Sequence, residues 1–296
     1  MKKVKVLHYD AFSSVVNQGN PAGVVLDCQG LNEDDMLRIA GKVGFNETVF
    51  VLKSDKADLR LKYFTPGHEM NLCGHATVGA LYCLRTRGLL EDKNNFHIET
   101  NVGVLPVFFE NKGEQILITM QQDAPRFIPF EGDVRKLAES IGLTKEELDL
   151  SKPIVYGSTG TWTLLIPIKK LSKFKTMQPR NEDFPQILAE NPRSSVHPIC
   201  FQTYDGEAMM HARHFSSPFS GTVEDPVTGT ASGVMGAYYL KYINERLPSL
   251  EFAVEQGQEI DRDGRVWVRA VRNGGSMDVF ISGTGVFVKE MEVDLE

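Results

Sequence analysis

Two glycine-led segments, Cys73-Gly74-His75-Ala76-Thr77 and Thr228-Gly229-Thr230-Ala231-Ser232, each open a run without charge, from Ala76 to Leu84 and from Ala231 to Leu240. A surface helix carries a polar stripe along one side; neither run has one, so each reads as a helix buried all round. Their glycines stand 229 − 74 = 155 positions apart in a chain of 296 residues. An offset of half the chain predicts two similar halves, each built round its own buried helix. The start of such a helix presents backbone N–H groups with no intrahelical partner, together with the positive end of the helix dipole. That end suits a carboxylate, so a small anionic metabolite held by the two helix starts is the expected ligand.

Composition narrows the partners. A formal net charge of −7 offers no basic stripe to displace counterions from a phosphate backbone, so nucleic acid is not expected. Hydrophobic residues make up 42% and charged residues 24%, enough apolar material for two cores and too much for disorder. No apolar stretch approaches the roughly 18 residues of a membrane span. The basic start of the chain is not followed by an apolar stretch of signal-peptide length. These features predict a cytoplasmic protein with no membrane partner. Cys28, Cys73, Cys83 and Cys200 show no C-x-x-C spacing, so no structural zinc site is expected. Cys83, inside an apolar run, reads as a core residue.

Short runs rich in branched and aromatic residues predict strands at 4–9, 23–26, 48–52, 59–64, 96–100, 105–109 and 116–121. A helix is predicted from Asn32 to Val43, with Met36, Ile39, Ala40 and Val43 on one face and Asn32 as its cap. The proline-flanked segment from Asp123 to Pro129 reads as a linker. Beyond it come an amphipathic helix (Val134, Leu137, Ala138, Ile141) and a capping box from Thr144 to Glu147. Strands are then predicted at 154–156, 163–166, 196–201, 208–215, 252–256, 266–271 and 277–281. A doubly wound parallel sheet would alternate helices with strands throughout, and this order does not. The expectation is an α+β fold of two pseudo-repeated domains, each a curved, mostly antiparallel sheet or barrel around one buried central helix. The N-terminal domain is expected over 1–125, with 278–296 as a candidate to complete it, and the C-terminal domain over 126–277. A cleft between two such domains is a common place for a small-molecule site.

Several residues are candidates for chemistry there. Glu47 stands at the mouth of the apolar strand Thr48-Val49-Phe50. Enclosure disfavours the charged form of a carboxyl group, which lets it take and return a proton; a solvated strand-start glutamate is the alternative. His75 falls in the first turn of the first buried helix, where the dipole disfavours its cation and leaves a neutral hydrogen-bonding or relay group. It equally fits a capping or core histidine. Cys73 at such a position can serve as a nucleophile or base. Asp225, three residues before the second helix, fits either a ligand amine or hydroxyl, or a turn that bonds only backbone. Thr230 offers a hydroxyl beside its own N–H. Asn20, in Gly19-Asn20-Pro21, sits in a default turn from which it could also reach the site.

Together, Gly19-Asn20-Pro21, Asn46-Glu47-Thr48, Cys73-Gly74-His75-Ala76-Thr77 and Glu224-Asp225-Pro226-Val227-Thr228-Gly229-Thr230-Ala231 resemble the PhzF-like phenazine-biosynthesis isomerase family, which shares its fold with diaminopimelate epimerase. The resemblance covers essentially the whole chain. It implies two similar barrel domains, a homodimer, an active site between domains, and neither metal nor organic cofactor. It also implies Glu47 as the catalytic glutamate, His75 and Asp225 as supporting catalytic residues, and Asn20, Gly74, Gly229 and Thr230 at the substrate. Thr230 stands where the family usually has serine and keeps the hydroxyl.

The function expected first is therefore a cofactor-independent isomerase that moves a proton within a small carboxylate-bearing metabolite. The alternatives are an epimerase or racemase working through Cys73, and a metabolite-binding protein without catalysis. Related epimerases set a cysteine before each helix-leading glycine, and here the second position is Thr228. A threonine hydroxyl is too weak an acid to replace a thiol, which disfavours a two-thiol mechanism.

Overall fold

The uncharged run at residues 76–84 is helical, and all but one of its side chains is buried, as a helix without a polar stripe requires. The structure is a computed structural model that describes residues 2–91, 93–113 and 115–295. It separates into two units, Met1–Gln121 with Ser282–Glu296, and Gln122–Ile281.

Unit 1 holds β1 (Lys2–Ala11), β2 (Asn20–Val25), α1 (Glu33–Val43), β3 (Glu47–Leu52), β4 (Leu59–Phe64), β5 (Glu69–Met70), α2 (Gly74–Thr86), β6 (Asn95–Thr100), β7 (Gly103–Lys112) and β8 (Gln115–Gln121). The C-terminal strand Gly285–Leu295 lies antiparallel to β1, which pairs antiparallel with β2. β2 and β3 run parallel, β3 and β4 antiparallel, β4 and β6 parallel, and β6, β7 and β8 follow antiparallel. α2 packs against β1, β2, β3, β8 and the C-terminal strand, so one helix is served by strands from both ends of the sequence.

α1 covers the opposite face of the sheet. Its Met36, Ile39 and Ala40 join Val4, Val6, Val25, Phe50 and Phe64 in one apolar cluster. The helix starts as the sequence predicts: Asn32 accepts from the Asp35 N–H at 2.8 Å, and Asp35 accepts from the Asn32 N–H at 3.2 Å. Side chains alternate across a strand, so the positions of Phe50 and Val25 decide the rest. With those two turned to α1, Glu47 on β3 and Asn20 and Ala22 on β2 turn to α2. Gly79 of α2 sits directly over Ala22, and a Cβ placed on it would lie 3.6 Å from the Ala22 Cβ.

Unit 2 holds β9 (Arg126–Pro129), α3 (Val134–Ser140), β10 (Val155–Ser158), β11 (Trp162–Pro167), α4 (Phe184–Ile187), β12 (Ser195–Cys200), β13 (Ala208–Ala212), α5 (Gly229–Tyr238), β14 (Ser249–Gln256), β15 (Gly264–Asn273) and β16 (Ser276–Gly283) as far as Ile281. Strands β9 to β15 pair in chain order, antiparallel except β11 with β12 and β13 with β14. α5, the second uncharged run, packs against β10, β14 and β15. The approach is close enough to need glycine on both partners. A Cβ on Gly157 of β10 would lie 2.2 Å from Val234 Cγ1, and one on Gly236 of α5 would lie 2.6 Å from Val268 Cγ1. A second cluster, with Leu137, Ile141, Tyr156, Leu164, Phe184 and Val196, joins α3 and α4 to the strands.

Mixed sheets with few helices make this the α+β fold expected. Two longer segments differ: the C-terminal strand Gly285–Leu295 lies where the sequence predicts no strand, and the supposed linker from Asp123 to Pro129 contains β9, which pairs with β10 from Arg126 to Pro129. Pro125 and Pro129 read as breakers, yet they bracket the pairing residues rather than interrupt them. The short helix α4 and strand β5 have too few residues to show a period. Among the described residues, no helix is long and apolar enough to cross a membrane.

Candidate functional site

In unit 1 the first residue of β2, the first residue of β3 and the first turn of α2 converge. His75 Nε2 lies 3.1 Å from Glu47 Oε2, and His75 Nδ1 lies 3.2 Å from Asn20 Nδ2. Cys73, the N-cap residue of α2, brings its Sγ to 3.5 Å from His75 Nδ1. Asn20, Cys73 and His75 are buried and Glu47 nearly so. Glu47 Oε2 has no aligned hydrogen bond among the described residues, so the contact with His75 is one of charge more than of hydrogen-bond geometry. Behind the cluster, Thr77 Oγ1 donates to the Cys73 carbonyl at 2.7 Å and lies 2.7 Å from the Tyr63 hydroxyl.

Burial works against a charged imidazole, but Cys73 and Glu47 more than offset it, and His75 is held well above the usual histidine range. Burial in turn pushes the Cys73 thiol up, Glu47 adding to the effect and His75 opposing it. For His75 the direction runs against the one expected from the helix start, because Cys73 and Glu47 both stand beside the ring. Asn20 can meet either form. Its amide nitrogen donates to a bare Nδ1, and after a half-turn its carbonyl oxygen accepts from a protonated one.

The two buried helices differ from the surface ones at their starts. α1 and α3 are capped by the side chains of Asn32 and Asp133, whereas α2 and α5 have no side-chain cap. Their leading amides, including those of Gly74 and His75 and of Gly229 and Thr230, are therefore available to an anion.

In unit 2, Asp225 Oδ2 accepts from Thr228 Oγ1 at 2.5 Å, the bond of a turn residue, and one that also fixes the direction of the carboxylate. Gln256 completes the turn. Its Nε2 donates to the Asp225 carbonyl at 2.8 Å, and its Oε1 accepts from the Thr228 N–H at 3.2 Å. Thr230 is tied down through its carbonyl, which accepts from Thr159 Oγ1 at 3.0 Å. Nothing in the sequence singles out Gln256, a polar residue at the end of an apolar strand. The structure thus groups Glu47, His75, Asn20 and Gly74 in unit 1, and Asp225, Gly229 and Thr230 in unit 2.

Glu47, Cys73 and His75 also offer a carboxylate oxygen, a thiol and an imidazole nitrogen within 4.8 Å of one another. The spacing of the cysteines predicted no such set, because the third ligand type arrives from β3, far from the Cys73-x-His75 pair in sequence.

The sequence matches the family described as "Phenazine biosynthesis-like protein" (PhzC-PhzF) over residues 9–291. The chain belongs to this family of isomerases. It is 50% identical over 287 residues to "Uncharacterized isomerase YfhB" of Bacillus subtilis, covering 97% of each chain. It is similar to the crystal structure of a Bacillus anthracis phenazine biosynthesis protein of the PhzF family, with 55% identity, a TM-score of 0.98 and full coverage of both chains. It is also 30% identical over 288 residues to the trans-2,3-dihydro-3-hydroxyanthranilate isomerase of Pseudomonas aeruginosa, covering 95% of this chain and 96% of that protein.

Proposed function

We propose that this protein moves a proton from one atom to another within a small carboxylate-bearing metabolite, with Glu47 as the general acid/base. The observation that carries the reading is the enclosed Glu47–His75 pair, with 3.1 Å between carboxylate and ring. Glu47 takes the proton as a carboxylate and, once neutral, returns it at a second carbon. No electrons leave the substrate, and side chains alone handle the proton. His75, steadied by Asn20, orients the carboxyl group throughout and stabilises its charge before the first transfer and after the second. The uncapped start of α2 receives the substrate carboxylate. In unit 2, Asp225, Gly229 and Thr230 are assigned to ligand binding. The isomerase activity for which the Pseudomonas aeruginosa relative is named supports the reaction class, while the substrate itself is set by site details that a fold does not carry.

Epimerisation through Cys73 fits less well. Burial pushes its thiol up, and Thr228 stands where a partner thiol would be needed. The test is a thermal-shift screen of small carboxylates against the wild type and Glu47→Gln, followed by turnover of each hit in deuterated water. Expected is conversion with wild type only, with the variant trapping unconverted ligand. Equal turnover by Glu47→Gln overturns the assignment. A homodimer is checked by light scattering and a cytoplasmic location by cell fractionation.

A further inference from the structure

We propose that Glu47, Cys73 and His75 form a three-ligand site for a thiophilic divalent cation of the zinc type, whose binding closes the acid/base centre reversibly. This goes beyond the proposed reaction, since it depends on three side chains meeting and not on what Glu47 does to a substrate. The ligand types are those zinc prefers: thiolate, imidazole nitrogen and carboxylate oxygen. Their spacing fits as well. Zinc bonds of about 2.0 Å to nitrogen or oxygen and about 2.3 Å to sulfur, arranged tetrahedrally, set the N to O edge near 3.3 Å and the N to S edge near 3.5 Å. His75 Nε2 lies 3.1 Å from Glu47 Oε2 and 3.9 Å from Cys73 Sγ, and all three ligand atoms are within 4.8 Å of one another. Small side-chain adjustments suffice to reach the ideal.

Two further observations support it. Glu47 Oε2 has no aligned hydrogen bond among the described residues, so a metal that takes it replaces only the 3.1 Å charge contact with His75. Asn20, whose Nδ2 lies 3.2 Å from His75 Nδ1, can orient the ring while Nε2 binds once its amide turns to let Oδ1 accept from Nδ1–H, the outer contact that ligating histidines usually make. Cys73 and His75 stand two residues apart at the start of α2, so small turns of their side chains and of Glu47 complete the set. Coordination displaces the thiol proton, and the Nε2 proton where present, to solvent; the metal then holds the thiolate despite its burial. Three protein ligands leave one tetrahedral position for water. Glu47, tied to the metal, cannot exchange a proton.

The experiment uses the full chain, freed of metal by chelator and kept reduced. Cobalt(II) is added as the probe and the thiolate-to-cobalt charge-transfer absorption is read, with zinc then displacing the cobalt and magnesium as the control. The wild type is expected to show the band and lose it on adding zinc, but not on adding magnesium. Cys73→Ser should lack the band, and Asn20→Ala should bind roughly ten- to a hundredfold more weakly. Zinc should also slow alkylation of Cys73 and leave that of Cys28 unchanged, a measurement on unmutated protein that does not depend on a variant folding. The proposal is overturned by the absence of a charge-transfer band, by a band that persists in Cys73→Ser, or by equal alkylation of Cys73 with and without zinc. These readouts stand apart from turnover, so loss of the isomerase reading leaves them intact.

Discussion

His75 Nε2 lies 3.1 Å from Glu47 Oε2, although β4 and β5 separate the two residues in sequence. The pairing follows from strand alternation, since Phe50 turned to α1 forces Glu47 toward α2, whose first turn carries His75. A carboxylate in that position can accept a substrate proton without first shedding a shell of water. Replacing Glu47 by glutamine keeps the shape and removes the proton exchange. Glu47→Gln is expected to lower turnover by about 10²–10⁴-fold, the usual contribution of a positioned acid/base, while retaining the ligand-induced thermal shift. Steady-state rates and melting curves on the same hit compound check both halves.

The charge on His75 gives a second prediction. Burial lowers its pKa, while Cys73 and Glu47 raise it by more, so the folded-state value lies well above 6.5. A raised histidine stabilises the fold fully below the unfolded-state value of about 6.5, and that stabilisation is lost as pH rises through the folded-state pKa. Nuclear magnetic resonance of the ring should show a wild-type midpoint above the ordinary value and a lower midpoint in Glu47→Gln. A midpoint unmoved by the substitution would show that the carboxylate does not hold the proton there.

Unit 2 carries a buried charge cluster that no sequence signal announced. His211 Nδ1 lies 3.0 Å from Glu255 and its Nε2 lies 3.3 Å from Glu259, with all three side chains almost fully enclosed. Glu255 also accepts from the Tyr204 and Asp205 N–H groups, at 2.7 and 2.9 Å. Burial lowers the His211 pKa, but bonds to Glu255 and Glu259 leave it raised overall; burial likewise raises Glu259, but His211 leaves it lowered. The signs bracket a window. The histidine contribution fades as pH rises through its folded-state pKa, and the Glu259 contribution fades as pH falls through its own. His211→Leu removes the cation that bridges the two glutamates and should cost about 3–5 kcal/mol near neutral pH. Melting temperature against pH for wild type and variant should show the gap narrowing toward both acid and alkaline ends.

How much of this could be read from the chain differs by element. The two buried helices were legible because a helical run of nine or ten residues without charge cannot lie on a surface, and α1 because Asn32 and Asp35 advertise its start. Strand β9 was not, because prolines at both ends look the same locally whether they bracket a strand or break one. Glu47, His75 and Asp225 stood out through the family motifs, yet their surroundings did not. That Asn20 reaches His75, that Cys73 joins Glu47, and that Gln256 braces Asp225 all depend on the order in which strands pair. Pairing order is a long-range property that local patterning does not contain.

The seat of α5 offers the last prediction. Gly157 faces Val234 so closely that a Cβ on it would lie 2.2 Å from Val234 Cγ1 and 3.1 Å from Phe127 Cε1. Gly157→Ala therefore overpacks the contact and should cost about 1–3 kcal/mol, the range for added methyl groups in tight cores. Val234→Ala alone should cost about 2 kcal/mol by leaving a small cavity. Because the alanine methyl fills the space that the valine vacates, the double variant should lose less than the sum, with a coupling of about 0.5–3 kcal/mol. Urea midpoints of the four proteins measure it. Additive losses would mean that β10 and α5 move apart on substitution instead of competing for one volume. The start of α5, with Gly229 and Thr230, would then shift with them, and ligand affinity would fall in Gly157→Ala even where stability did not.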